Sequence, residues 1–263
     1  LTGYLDGLQK AVKTPYLPFS RLGLDDATGE PIQINDHVLQ IENEYYSLVR
    51  PKQVPQEGET PSQALASRGI GYVELRAVDV NPYSPIGIDE DTAGFLEVLA
   101  LYCLLQDSPA LLDAEQSIIE NNQAEVVNRG RAPNAHIQEG DIKIPIEAWG
   151  QRYVTAMQPL AALLDQSYAT QLYSQALEHM MARLHEVDET LSAQMIADTI
   201  QHGGTWGFGS YMAQQHAHAY EQHALRPETQ TYFDEIAVQS IQQQQQLEQA
   251  QGLSFADYVA QYR

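Results

Sequence analysis

The sequence predicts an α+β fold, and three observations carry that prediction. The run Tyr72-Val73-Glu74-Leu75-Arg76-Ala77 alternates with the period of a β-strand. It runs into Asn81-Pro82-Tyr83-Ser84-Pro85, which cannot continue a ladder. Strand-like and short helical segments come first, and from residue 109 onward the pattern is dominated by helices. Nowhere do strands and helices alternate as they would in a doubly wound parallel sheet. The expected organisation is an α+β part over residues 1–106, holding the marker strand 70–80, and a mainly helical region over 107–263 packed on it.

In chain order, Leu1, Leu5, Leu8 and Val12 form a helical stripe, so 1–13 is expected to be an amphipathic helix ended by Thr14-Pro15. That stripe starts with Leu1 and with no capping residue ahead of it, so the chain is expected to be cut inside an element. Residues 18–30 read as a loop. Two strands, 31–34 and 37–44, are expected around an Asn35-Asp36 turn. Residues 61–67 read as a short helix and 89–106 as a Leu-rich one stopped by Ser108-Pro109. Further helices are expected near 109–130, 147–165, 167–187, 191–202, 207–224, 229–250 and 254–262. Gly203-Gly204 closes one of these, and Ser254 can cap the last.

Composition bounds the function. At 263 residues the chain can build one large domain or two small ones. Its net charge of −21 repels nucleic-acid phosphates and anionic membranes, so neither is an expected partner. No apolar run approaches the roughly 20 residues needed to span a bilayer. Cys103 is the only cysteine, which excludes an internal disulfide and agrees with a reducing, cytoplasmic setting. Within its Leu-rich helix, Cys103 is expected to be a small core residue. His216, His218 and His223 lack metal-ligand spacing on a helix and read as surface residues. Gly203-Gly204-Thr205-Trp206-Gly207 has no preceding strand and no GK[ST], so it reads as a helix–helix turn and not as a phosphate loop. The run Gln242 to Gln246 reads as the solvated face of a helix.

The charged pair in the 70–80 strand stands out. Strand alternation puts Val73, Leu75 and Ala77 on one face, suited to a core, and Tyr72, Glu74 and Arg76 on the other. Two readings remain open for Glu74 and Arg76. They form an ion pair on a solvated sheet surface, or Glu74 is a hard ligand for a divalent cation while Arg76 clamps a carboxylate or phosphate. On the second reading Glu74 faces an open, acidic bowl.

Several long strings resemble the proteobacterial type of glutamate–cysteine ligase, specifically its C-terminal half. They are Leu8-Gln9-Lys10-Ala11-Val12-Lys13-Thr14-Pro15, Ile32-Gln33-Ile34-Asn35, Val38-Leu39-Gln40-Ile41-Glu42-Asn43-Glu44-Tyr45, Arg50-Pro51-Lys52, Gly58-Glu59-Thr60-Pro61-Ser62-Gln63-Ala64-Leu65 and the block from Tyr72 to Gly87. The resemblance is close over about residues 1–110. It is weaker beyond, where Gly130-Arg131-Ala132-Pro133 and Thr199 to Thr205 are similar to family landmarks.

The resemblance implies a sheet like that of glutamine synthetase, antiparallel and bowl-shaped, followed by a long helical region. It implies ATP-dependent joining of L-glutamate to L-cysteine with Mg²⁺, or Mn²⁺, as the cation, in a cytoplasmic enzyme of glutathione biosynthesis. Carried over residue by residue, Glu74 matches a metal-binding glutamate, and Arg76 matches a catalytic arginine at the glutamate substrate and phosphorylated intermediate. Tyr72 is a substrate-binding candidate. Asn43, Arg50 and Arg131 are nucleotide-binding candidates, and Gln40 and Glu42 lie in family-like strings. Arg50-Pro51-Lys52 either faces nucleotide phosphates or is an exposed basic loop. The family's N-terminal half, with most of the metal-binding carboxylates, has no counterpart here. The chain alone is therefore expected to be inactive, with that half as its missing partner. The alternative is a non-catalytic binding or interaction protein that keeps only the back half of the ligase fold.

Overall fold

A computed structural model describes residues 1–56, 58–250 and 252–261. The elements are α1 (Thr2–Ala11), α2 (Leu17–Leu22), β1 (Val49–Lys52), α3 (Pro61–Arg68), β2 (Tyr72–Leu75), α4 (Glu90–Leu105) and α5 (Asp113–Arg129). Then follow β3 (His136–Glu139), β4 (Ile142–Pro145), α6 (Ile146–Tyr168), α7 (Leu172–His185), α8 (Leu191–Gln201), α9 (Thr205–Glu221), α10 (Pro227–Gln249) and α11 (Phe255–Ala260). The architecture is α+β: two small antiparallel hairpin sheets among many helices. The chain divides by compactness into Leu1–Asp79 with Leu225–Arg263, and Val80–Ala224. That division differs from the expected one at residues 106 and 107.

In the first unit, β1 pairs antiparallel with β2 in the register Val49↔Leu75, Arg50↔Glu74, Pro51↔Val73 and Lys52↔Tyr72. Pro51 has no N–H to give a ladder, and a strand in a two-stranded sheet tolerates it. This strand was not expected: Arg50-Pro51-Lys52 was read either as facing nucleotide phosphates or as an exposed basic loop, and the structure makes it a strand with Arg50 buried. The marker strand is shorter than 70–80, although the Arg76 N–H still donates to Leu48 O at 2.8 Å. Helix α3 starts where the sequence says it must. Pro61 occupies its first turn and Thr60 with Gln63 closes a capping box. Its buried Ala64 and Leu65 pack with Leu8 of α1 in a small apolar core.

Residues 18–44 depart from expectation. Helix α2 forms where a loop was expected, with Pro18 preset for its first turn. The two expected strands at 31–34 and 37–44 are absent, because their backbone groups find other partners. Ile34 N donates to Gln40 Oε1 at 2.9 Å, and His37 N to Asn35 Oδ1 at 3.0 Å. Val38 N reaches Thr14 O, and Leu39 N reaches Ala11 O, at the C-terminal end of α1. The Asn35 turn forms as expected. The side chain of Gln33, 7% exposed, donates to Phe19 O and Gly23 O at 2.9 and 2.6 Å. Residues Glu42–Glu44 form a 3₁₀ turn. From it the Glu42 carboxylate accepts from the Ser62 N–H at 2.9 Å and from the Ser62 hydroxyl, so an anion sits at the N-terminus of α3.

The loop between β1 and α3 is tied down by Arg68. Its guanidinium donates to Glu59 at 3.0 and 2.6 Å and to Val54 O at 2.9 Å. These bonds from Arg68, with one from the Gln56 N–H side, hold the Glu59 carboxyl down at about 2.

The second unit is organised on α7, which packs against both α4 and α6. Val98, Val154, Met157, Ala161, Tyr173 and Leu177 form its buried core. Gly94 lets α4 approach α7: a Cβ there would stand 3.3 Å from Leu172 Cγ. The hairpin β3–β4 was not foreseen. Asn122 of α5 holds it by giving Gln138 O a donor and Gln138 N an acceptor, both at 2.7 Å, as a neighbouring strand would. The turn Gly203-Gly204 joins α8 to α9 with φ of 74° and 128°, as the helix–helix reading required. Ser254 caps α11 through the Asp257 N–H, and Gln242 to Gln246 lie exposed on α10. Cys103 is exposed near the end of α4, not in the core, because the apolar residues of that helix run all the way round it. No helix among the described residues is long and apolar enough to cross a membrane.

Two consequences are measurable. Glu59 has a folded pKa of about 2 against an ordinary 4.5, so its stabilisation is present above pH 4.5 and disappears as pH falls toward 2. Acid-unfolding curves of Glu59→Gln are expected to lack that part of the pH dependence, and identical curves would refute the tie. Glu42→Ala removes the acceptor of a buried hydroxyl and an anion at a helix start, an expected loss of about 1–3 kcal/mol. Urea unfolding followed by circular dichroism measures it. Full stability in this variant would leave Glu42 free for a role at the site.

Candidate functional site

The site grows out of the β1–β2 register. Residues paired across antiparallel strands share a face, so Arg50, Lys52, Tyr72 and Glu74 stand together, with Arg76 just beyond the end of β2 on the same side. Strand alternation anticipated that Tyr72, Glu74 and Arg76 share a face. It did not anticipate which face is covered. Helices α1 and α3 lie on the polar side beside Arg50, which is buried, although Tyr72 on that side is 50% exposed; Val49, Val73 and Leu75 on the other side are 52%, 57% and 43% exposed. Ala77 is exposed as well. The apolar face expected to form a core is thus open. Helices α1 and α3 bury Arg50 on the polar side and leave Tyr72 and Arg76 exposed.

Glu74 is a half-buried carboxylate among cations. Its Oε1 is 3.7 Å from Arg76 Nε, and its Oε2 is 3.8 Å from Lys52 Nζ. Oε2 is buried and receives no hydrogen bond among the described residues. The surroundings are basic, so the open acidic bowl expected around Glu74 is not what this unit builds. Arg76 lies over the Tyr46 ring at 4.7 Å, a cation–π contact that holds the guanidinium plane.

Beside Lys52 and Tyr72 lies a cavity of about 150 Å³. Glu42, Asn43, Arg50, Lys52, Gln53 and Tyr72 supply its polar lining, and Tyr4, Leu8 and Leu65 are on its apolar wall. Two nucleotide candidates and the substrate candidate therefore share one pocket. Arg50 is 7% exposed and its Nε has no hydrogen-bond partner among the described residues. The Tyr45 ring is 5.8 Å from its guanidinium carbon. Arg131 belongs to the second unit, where it is exposed in the turn after α5. Gln40 and Glu42 are structural in this chain. Gln40 bonds Ile34 N and Gln33 Oε1, and Glu42 bonds Ser62 with both oxygens.

Sequence reasoning missed Lys52 as a neighbour of Glu74. The period-two spacing of Arg50 and Lys52 was a usable signal, obscured by the proline between them. It also missed the Tyr45 and Tyr46 rings beside the two arginines. His216, read as a surface residue, is half-buried and its Nε2 meets Pro82 O at 2.7 Å. His218 and His223 are exposed. Among the described residues no three His, Cys, Asp or Glu side chains gather as a metal site.

Comparison with known proteins agrees with the earlier resemblance. The family model for glutamate–cysteine ligase matches residues 1–126. The glutamate–cysteine ligase of Azotobacter vinelandii is 39% identical over all of this chain and 50% of its own length. That of Pseudomonas fluorescens Pf-5 is 40% identical, again over all of this chain and 49% of its own length. A crystal structure of glutamate–cysteine ligase from Francisella tularensis in complex with AMP superposes with a TM-score of 0.85 at 29% identity. The match covers 99% of this chain and 52% of that one. The chain spans about half the length of the curated relatives it matches, and with identity sustained end to end and one shared fold, it belongs to the glutamate–cysteine ligase family.

Proposed function

We propose that this chain is the C-terminal portion of an ATP-dependent glutamate–cysteine ligase, the enzyme that forms γ-glutamylcysteine at the start of glutathione biosynthesis. The observation that carries the reading is the charged face of β1–β2, with Arg50, Lys52, Glu74 and Arg76 on one rigid hairpin, inside a chain related throughout its length to such ligases. The AMP held by the Francisella relative supports a nucleotide among the ligands.

In the proposed reaction a γ-carboxylate oxygen of L-glutamate attacks the terminal phosphorus of ATP, and ADP departs. The L-cysteine amine then attacks the acyl carbonyl, loses a proton, and displaces phosphate. Arg76 is assigned to the glutamate carboxylate and to the acyl phosphate, where a planar fork gives two parallel hydrogen bonds. Tyr72 is assigned to substrate, and Asn43, Arg50 and Arg131 to the nucleotide. Glu74, with its buried and unbonded Oε2, fits a single hard ligand for Mg²⁺ or Mn²⁺. Such a cation would offset charge on the transferring phosphoryl group. One carboxylate is not a site, so the remaining ligands are assigned to the N-terminal half of the enzyme. A cytoplasmic location is part of the same reading.

The absence of a metal-binding cluster among the described residues favours a second reading for the chain by itself, a non-catalytic binding protein. The assay that separates the two measures ADP and γ-glutamylcysteine from the purified 263-mer, then from the 263-mer mixed with a separately made N-terminal half. The expected result is activity only in the mixture. Activity from the 263-mer alone would move the catalytic centre, and no activity from either would favour the binding protein.

In the active mixture, Arg76→Lys is expected to lose roughly 10–100-fold in kcat/KM, the scale of one or two charge-assisted hydrogen bonds. Circular dichroism should show the fold unchanged. Near-normal efficiency would make Arg76 a structural partner of Glu74.

A further inference from the structure

We infer that the cavity between α5 and the β3–β4 hairpin is a site for an acidic α-amino acid, held by its carboxylates on Arg129 and Lys143 and by its ammonium on Glu125. The site lies wholly within the second unit and uses none of the residues assigned to the ligase reaction.

Register and helical spacing bring its walls together. Gln138 pairs with Lys143 across β3 and β4, and His136 stands two residues from Gln138, so all three share one face of the hairpin. Asn122, Glu125 and Arg129 follow one another at intervals of three and four along α5, so they share one face of the helix. Asn122 bonds both backbone groups of Gln138, at 2.7 Å each, and so fastens the helix to the hairpin. Arg129 Nη2 donates to Asn134 Oδ1 at 2.9 Å, which holds the turn after α5 against the same cavity. The space enclosed is about 300 Å³.

The charges select the ligand. The Lys143 ammonium lines the cavity and has no hydrogen-bond or ion-pair partner among the described residues. Glu125, its side chain 28% exposed, has only Arg129 Nη1 at 3.7 Å, too long for a hydrogen bond. Two cations and one carboxylate thus line one cavity, and both signs are incompletely paired. A simple anion would answer the cations and be repelled by Glu125, and a simple cation would meet the reverse. A molecule with two carboxylates and one ammonium complements all three. Position supports the ammonium, because Glu125 and Arg129 lie in the last turns of α5, where the helix dipole favours positive charge. His136 adds to this. Its Nδ1 meets Asn134 O at 2.6 Å, and a carbonyl only accepts, so Nδ1 carries a proton and the neutral ring keeps Nε2 as an acceptor.

Size and lining exclude other classes. The volume lies at the lower end of the roughly 300–1,000 Å³ of small-molecule pockets. Among the described residues Ile137 is the sole apolar one on the wall, and no Phe, Tyr or Trp stands there. Nothing offers a nucleobase a ring to stack on or a lipid chain an apolar slot. The Asn121 amide can bond either end of a zwitterion.

The test is isothermal calorimetry on the 263-residue chain with L-glutamate, glutarate and L-glutamine, without nucleotide or divalent cation. Saturable binding of L-glutamate is expected. Glutarate, which lacks the ammonium, and L-glutamine, which lacks the second carboxylate, are each expected to bind more weakly. Lys143→Gln is expected to weaken L-glutamate roughly 5–30-fold, the scale of a charge-assisted hydrogen bond at an exposed site. Glu125→Gln is expected to weaken L-glutamate and to tighten glutarate, because the repelling charge is gone. A merely structural Glu125 would not separate the two ligands. Arg129 also holds Asn134, so if Arg129→Gln fails to fold, Lys143→Gln and Glu125→Gln carry the test.

No saturable binding of L-glutamate by the folded chain would overturn the proposal. So would glutarate or L-glutamine binding as tightly as L-glutamate, or affinity indifferent to Lys143 and Glu125. Affinity lost through Arg76→Lys but not through Lys143→Gln would place the ligand at the β1–β2 hairpin and equally overturn it. Binding that follows Lys143 and Glu125, alongside an inactive two-half mixture, would sink the ligase reading and leave this site standing. An active mixture without such binding would do the reverse.

Discussion

The pairing of Arg50 with Glu74 across β1 and β2 is the constraint on which the candidate site depends. Side chains in a sheet alternate with a period of two, so a register shift of one residue would send every member of the site to the opposite face. In the observed register Lys52 falls opposite Tyr72, Arg76 follows Glu74, and Pro51 is consigned to the other face with Val73. Four short residues of strand on each side are a modest platform. Capped α3 and the tie from Arg68 to Glu59 and Val54 fix the chain that leaves and re-enters the hairpin.

Charge, not apolar burial, is the unusual currency of this hairpin. The usual arrangement packs the apolar face and solvates the polar one. Here part of the polar face, Arg50 above all, is buried beside α1 and α3, and the valines and leucine of the other face meet solvent. Covering charged side chains has a desolvation cost that pairing only partly repays. The incompletely bonded atoms, Arg50 Nε and Glu74 Oε2, lie on this polar face. A polar group kept buried and unsatisfied in a folded protein is a better guide to ligand chemistry than a satisfied ion pair. The second unit follows the ordinary rule, with Val98, Met157 and Leu177 of its core almost fully buried.

Much of the fold was legible because it is set by local chemistry. Thr60-Pro61-Ser62-Gln63 fixes the start of α3, Asn35 its turn, Gly203-Gly204 the break between α8 and α9, and Ser254 the start of α11. Each of these depends on neighbours within a few residues. The strands expected at 31–34 and 37–44 failed for the opposite reason. Their alternating pattern was real, but a strand needs a partner, and the N–H groups of Ile34, Val38 and Leu39 found a glutamine side chain and loop and helix-end carbonyls instead. The β3–β4 hairpin was hidden because two four-residue strands carry too little pattern, and the ties that hold it to the helices, Asn122 of α5 and Arg152 of α6, are distant in sequence.

By itself the sequence determined the fold class, most of the helices, the common face of Tyr72, Glu74 and Arg76, and the family. Periodicity, caps and long shared strings are written in residue order, and no tertiary contact is needed to read them. Only the tertiary structure decided that Arg50 and Lys52 belong on that same face, that Asn43 joins them at a cavity, and that Glu42 is spent on Ser62. These facts follow from which strand pairs with which, and at what register. That choice is made by contacts between segments some twenty residues apart, and no short-range pattern in the chain encodes it.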